Sequence, residues 1–442
     1  MYACVFLCFW GNMSHSWALL GHLHLTHTPV HYSTSCLLLQ STLSCEECAA
    51  AAAAAFIARS RLRRSQPAGP LDDGNLLAEI LLRLPPQPSS LPRASLVCHR
   101  WRHLVSDNGF LRRFRLHHRR NPPLLGCFSE RRLELSFMPM LEAPNRIPAG
   151  RFSLQLDDIR LAPAAQGGGL VMPDKGFSVL GCRHGLVLIS IPSWNQVLIW
   201  DPVTGDQHRI ALPLGFDAKK TYITGAVLRS AAGDAHHFQV VVVCNDIQHT
   251  RVVACVYSSE TDEWGNSISI LIPFYVTGRP TVLVGDSLYW LLAVGGILEI
   301  DLKRQSLAVI QWPMDKGTFS LMRAEGGGLG LFFLSDLGAQ LWKRKTDCGG
   351  VASWELGKTL ELNELKTRSG LNSLTIVGFA EDNNVVFLSR GSTFFMVQLE
   401  PLELKELSEV DNWCFYYAFE SVYTAGMGIC GGHGGAEHLH NA

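Results

Sequence analysis

The sequence predicts a small all-α module followed by a much larger all-β domain, read as a β-propeller. Three observations predict it. A wide apolar stripe at helical spacing fills residues 71–115. From residue 121 the text turns into short β-branched and aromatic runs separated by Gly, Asp, Asn and Pro. Within those runs a strand–turn–strand unit recurs irregularly, at the roughly 40–60 residues over which propeller blades repeat. A pair of β-sandwiches is the alternative way to use the same strands.

Bulk properties limit the partners. A chain of 442 residues, 47% hydrophobic and 17% charged, has material for two domains with cores. Its formal net charge of -1 gives no reason for a polyanionic partner of the whole chain, so electrostatic arguments must be local. The 13 cysteines are odd in number and scattered, which suits reduced thiols in the cytosol or nucleus. Cys45 and Cys48 form a lone C-x-x-C with His22, His24 and His27 upstream, short of a zinc ligand set at suitable spacing. Residues 1–10 are apolar but lack a basic n-region and a clean cleavage site, and no run is long enough to span a membrane.

Residues 1–70 read as an extension. Seven alanines at 49–55 and a basic run at 59–64 precede a Pro/Gly linker at 66–70. In the module that follows, Leu76, Leu77, Ile80, Leu81 and Leu84 make the first stripe. Asp72, Asp73 and Asn75 stand where a side-chain acceptor caps free N–H groups, and Pro85 and Pro86 stop the helix. A second helix is expected after Ser89 and Ser90, with Leu91, Ala94, Val97, Cys98, Trp101, Leu104 and Val105 on its apolar positions. Phe110, Leu111 and Phe114 continue beyond the break at 106–109. About 45 residues of helix bury too little surface to stand alone, so part of this apolar set should belong to an interface.

The run from Leu71 to Phe114 resembles the F-box. It has an acidic start, an L-L-x-E-I-L-x-R-L-P helix, an L-x-R-x-x-x-V-C-x-x-W helix and a phenylalanine shortly after. Gly74 and Asn75 lengthen the link between the acidic pair and Leu76. The resemblance implies binding to a Skp-type adaptor, and through it to the cullin and RING protein of an SCF ubiquitin ligase. By motif position it assigns adaptor contact to Leu71, Leu76, Ile80, Leu81, Leu84, Pro85, Leu91, Val97, Cys98, Trp101 and Leu104. Leu77, Leu96 and Leu104 are at least as well explained by the module's own core. Eight arginines between Arg93 and Arg120 face only Asp107. Neither stacking aromatics nor a recognition helix accompanies them, so an acidic protein partner fits better than nucleic acid, and a solvated face is the default.

The all-β part spans 121–425, and 426–442 reads as a flexible tail. Trp200-Asp-Pro-Val-Thr-Gly205 leads into residues 208–213, Tyr257 to Trp264 into 267–270, residues 300–303 into 306–310, and 397–402 into 404–407. A further hairpin is expected around Trp342 and Trp354. Trp200 and Trp264 read as core aromatics, and Asp201 and Asp262 as turn-shaping residues. Cys182-Arg-His-Gly-Leu-Val-Leu, followed by the W-D-P-x-T-G turn, resembles the propeller-like domain of plant F-box proteins, related to kelch-type folds, over about 151–425. That implies a domain that holds a protein target; the loops at 163–176, 214–222 and 362–372 are the ones to decide which.

No nucleophile elbow, P-loop, H-E-x-x-H or EF-hand loop is present, and the glycine clusters read as turns. Cys98 lacks an identifiable base. No catalytic residue, metal or cofactor is therefore expected, and neither is a membrane partner. Two rivals remain at this stage: an adaptor-binding scaffold without ligase turnover, and a propeller enzyme, which would need paired carboxylates converging on a channel.

Overall fold

The computed structural model describes residues 73–424 apart from 132–133, 155–175, 230–236, 247, 313–317, 336–337, 348–350, 363–364, 366–373 and 408–414. The chain divides into two compact units, Met1–Ala68 and Gly69–Ala442. The first unit, with its C-x-x-C, alanine run and basic run, lies outside the described residues, as do Leu71, Asp72 and the tail.

Four helices open the described chain: α1 (Gly74–Leu82), α2 (Ser90–Ser95), α3 (His99–Val105) and α4 (Asn108–His118). The Asp73 carboxylate accepts from the N–H of Asn75 (2.8 Å) and Leu76 (3.4 Å), the capping the acidic start predicts. Asp107 caps α4 in the same way, accepting from Phe110 N at 2.8 Å. The one helix expected after Ser90 is two. Cys98 is fully extended (φ -163°, ψ 168°), which separates α2 from α3. The periodicity survives the break because both short helices turn apolar side chains toward α1 and α4.

The β part is a propeller of six blades. Sheets form at 178–211, 223–271, 282–310, 318–360 and 375–407, each of antiparallel strands in chain order, except that in the second both Glu263–Trp264 and Ile268–Leu271 pair with Arg251–Ser258. The sixth blade joins the two ends of the domain: the last strand, Tyr416–Glu420, pairs with Leu124–Arg131, which pairs with Glu134–Pro139. This pairing closes the ring, leaving only the outer strand of each blade as an edge.

Burial follows from that geometry. Inner and middle strands are covered on both faces by neighbouring blades, so Leu186–Ile191 is buried throughout, whereas the outer strand Gln207–Ala211 is mostly exposed. The core is six clusters between adjacent blades; one links Leu188, Val197 and Ile199 to Val227, Val240 and Val242. The inner strands converge on the axis. A Cβ at Gly378 would lie 2.4 Å from the Tyr416 carbonyl oxygen of the next blade, so only glycine fits.

The recurrent turns are built alike. Asp201 Oδ1 accepts from Val203 N (3.0 Å) and Thr204 N (3.2 Å), and Asp301 Oδ1 from Lys303 N (3.0 Å) and Arg304 N (2.8 Å). Gly205 closes the first of these at φ +86°. Trp200 is core, as its pattern predicts. Trp264 differs: it is half-buried at a seam, and its indole N–H donates to Ala211 O of the preceding blade (2.9 Å). Trp354 repeats this on Gln311 O (2.9 Å).

Candidate functional site

The helical module has two apolar surfaces, and only one is free. Leu77, Ala78, Leu81 and Leu82 of α1 pack on Leu91, Ala94, Val105, Phe110, Leu111 and Phe114. Leu81 (0% exposed) and Leu91 (2%) are therefore internal, not partner-facing as the motif alignment places them. They hold the backbone that presents the other positions. Leu76 is 43% exposed, Ile80 and Leu84 are half-buried, and Pro85 is exposed. The α2–α3 break brings out Leu96, 76% exposed, with half-buried Val97 and exposed Cys98. Of the three residues the sequence reads as at least as well explained by the core, Leu96 is exposed, whereas Leu77 and Leu104 pack inward. Trp101 is half-buried against the same core.

The module is seated on the propeller by the two ends of the domain. Val422, just past the closing strand, is buried (5% exposed) in the core of the helical module. Arg115 Nη1 donates to Thr424 Oγ1 (3.0 Å), and Ser89 N donates to Asn145 Oδ1 (3.1 Å). Burial pushes the Arg115 guanidinium below its ordinary range, with the Asp201 carboxylate acting against that shift. Within the module, His118 Nε2 meets Leu82 O at 2.8 Å, which ties α4 to the end of α1.

A polar cluster gathered from widely spaced positions sits at the C-terminal ends of four inner strands, or just past them, and is joined by Thr281 from the start of a fifth. Arg183 binds both carboxylate oxygens of Glu381 and the Thr281 carbonyl (2.8 Å) and hydroxyl (3.1 Å). Arg323 lies 3.5 Å from Glu381 and 3.6 Å from Asp382. Glu420 Oε1 accepts from the backbone N–H of Asp382 (3.0 Å) and Asn383 (2.8 Å) and from Asn383 Nδ2 (2.8 Å). Burial first, and then the Asp382 charge, raises Glu420 to about 7. His184 lines the same pocket and is lowered to about 3, by burial and then by Arg183. Its Nδ1 accepts from Arg229 N (3.1 Å), which suits the neutral ring.

These carboxylates are the converging set that a propeller enzyme would need and that no local motif reveals. Their partners give them another task. Glu381 is held by two arginines, and Glu420 holds the turn after the fifth blade's inner strand. Arg183, Thr281, Arg323, Glu381 and Glu420 belong to five different blades or the segments beside them, so the cluster laces the blades together.

The opposite face is different. In each blade the inner strand starts at the face where the outer strand of the previous blade ends, so the inter-blade crossovers share one face, and the helical module lies at the other. The crossovers at 212–222 and 272–281 and the hairpin at 292–296 expose Leu214, Tyr222, Phe274, Tyr275 and Val294. Asn245 ties two of these segments together through Tyr222 O and Val276 O (both 3.4 Å), and Ala293 N donates to Tyr275 O (2.9 Å). Of the three loops named from the sequence, 214–222 is on this face, while most of 163–176 and 362–372 lies outside the described residues.

Comparison with known proteins agrees with this architecture. A family model described as an F-box domain matches residues 70–113. One described as F-box protein AT5G49610-like, beta-propeller, matches residues 178–417. No curated protein matches. Among solved structures, the major Malassezia sympodialis allergen Mala s 1 aligns at TM-score 0.36 and 8% identity, covering 56% of this chain and 89% of that one. A functionally unknown protein from Desulfotomaculum acetoxidans DSM 771 aligns at 0.30 and 12%, covering 51% and 66%. Porphyromonas gingivalis dipeptidyl peptidase 4 aligns at 0.29 and 11%, covering 52% and 38%. With its family match running over five blades of the ring and an F-box directly before them, this chain belongs to the F-box proteins with an AT5G49610-like β-propeller.

Proposed function

We propose that the chain is the substrate-recognition subunit of an SCF-type ubiquitin ligase in the cytosol or nucleus. The F-box binds a Skp-type adaptor through Leu76, Ile80, Leu84, Pro85, Leu96, Val97, Cys98, Trp101 and Leu104; Leu71, assigned with them by motif position, lies outside the described residues. The face of the propeller away from the helices holds a protein target. The observation that carries this reading is the seat: Val422, Arg115–Thr424 and Ser89–Asn145 fix the F-box on one face, so its exposed apolar strip and the crossover face are parts of one body.

The chain supplies no reacting group in this reading. It holds a target lysine near a thioester carried by another subunit, and the gain is effective concentration. Cullin and RING protein join through the adaptor. The test is reconstitution with a Skp-type adaptor, a cullin and a RING protein. The parent chain should enter the complex, and Leu96→Asp should be excluded from it while melting like the parent, because Leu96 is exposed. Normal assembly by Leu96→Asp with Trp101→Asp would remove the adaptor reading. Assembly without ubiquitin transfer to any captured protein would leave a scaffold in place of a ligase receptor.

A further inference from the structure

Between 73 and 120 the chain carries nine arginines, no lysine and three carboxylates, a net of +6 with histidines neutral, while the whole chain sums to -1. The remainder therefore carries -7, so the helical segment 73–120 is a cationic stretch of an anionic chain. All three carboxylates are already engaged. Asp73 and Asp107 cap α1 and α4, and Glu79 pairs with Arg83 and Arg113. Arg93 in the last turn of α2 and Arg102 on α3 are exposed and flank Leu96; Arg102 is anchored by Nε to Ser95 O at 3.4 Å. His99 and His103 are exposed on the same short helix. The most exposed apolar side chain of the module thus has exposed cationic residues on both sides of it in the chain, and the segment 89–106 that contains them carries no carboxylate.

We propose that this surface selects its adaptor partly by charge: the segment that covers Leu96 presents carboxylates to Arg93 and Arg102. This rests on the receptor reading above and adds the chemistry of the partner's surface. An apolar contact alone does not require such a bias, and a uniformly solvated face would mix signs. Nucleic acid is the other class that +6 could attract. It is disfavoured because Trp101, the aromatic of α3, is half-buried against the core, leaving no open stacking platform, and Leu96 is aliphatic.

The experiment is the dissociation constant of the full chain with a Skp-type adaptor at rising NaCl, with a single-stranded oligonucleotide as a second probe. The affinity should fall roughly tenfold between about 50 and about 500 mM NaCl, since the screening length drops from about 14 to about 4 Å in that range. The double variant R93E/R102E should bind roughly tenfold more weakly at low salt and lose most of that salt dependence, with an unchanged melting temperature. Salt-invariant binding by the parent overturns the charge inference and leaves the receptor reading standing. Oligonucleotide affinity equal to that for the adaptor also overturns it, in favour of nucleic acid. Absence of adaptor binding at every salt concentration overturns the receptor reading and this inference with it.

Discussion

Val422 gives the sharpest test of how the F-box is held. Its side chain completes a core made by Leu77, Leu81, Phe110 and Phe114, although it belongs to the segment after the propeller's closing strand. Val422→Ala removes two buried methyl-sized groups. At about 0.8 kcal/mol each, with a further term for the cavity left between rigid helices, the loss is about 2–3 kcal/mol. That corresponds to roughly 30- to 150-fold faster exchange where opening of this core governs protection. Hydrogen exchange read by mass spectrometry separates the regions. Amides of α1 and α4 should lose protection by that factor, while those of Ser287–Leu291 in the third blade should not change. Unchanged protection of α1 in Val422→Ala would refute the idea that the helices depend on the propeller for their core. Equal loss in every blade would refute the local character of the coupling.

Three further perturbations follow from the same geometry. Glu420→Gln keeps an acceptor for Asp382 and Asn383 but removes the charge; because Glu420 titrates at about 7 in the fold against an ordinary 4.5, its contribution is full below 4.5 and lost as pH rises through about 7. The variant should therefore be more stable than the parent at about pH 8 and not at about pH 4, as read by thermal melting at the two values. His184 has the opposite sign: lowered to about 3 from 6.5, its contribution is full above 6.5 and lost as pH falls toward 3. His184→Asn retains an acceptor for Arg229 N and suits φ +54°, so it should flatten the acid limb of a stability–pH curve with little change above pH 7. Asp107→Ala removes the α4 cap and should cost about 1 kcal/mol in urea denaturation of the F-box; an unaltered midpoint would mean that the cap contributes nothing.

The sequence is most informative where the structure is repetitive. Asp201 and Asp301 shape their turns with their own carboxylates, and the strand–turn–strand units containing them are the third and fourth strands of blades. What periodicity cannot separate is two apolar faces of one helix. Leu76 and Leu77 are neighbours in the same stripe, yet one is 43% exposed and the other 0%, because α1 serves a core on one side and an open surface on the other. Leu96 fails for a related reason. It lies at the C-cap of α2, off the phase of the buried Leu91 and Ala94, and so faces outward. The axial cluster has no local signal at all, since Arg183 and its partner Glu381 are 198 positions apart. Trp264 and Trp354 are visible as aromatics, but their acceptors lie in preceding blades, on strand ends that carry no mark.

The expectation that so few helical residues need outside help is met from an unexpected quarter. Part of the help comes from the chain itself, through Val422, which follows the strand that closes the ring. Ser421 N donates to Pro123 O (3.2 Å), and Asn383 Nδ2 donates to Pro122 O (3.0 Å), so the Pro122–Pro123 joint is bound from both sides just before the first blade strand. The same Asn383 is held by Glu420, the last residue of the closing strand. Ring closure, the joint and the root of the F-box are thus one hydrogen-bonded unit. A receptor that works by proximity gains from this arrangement, because a flexible joint would dilute a bound target over a large volume, whereas a fixed one confines it. The buried carboxylate at the closure is then a structural element: through Asn383 it ties the closing strand to the joint that carries the F-box.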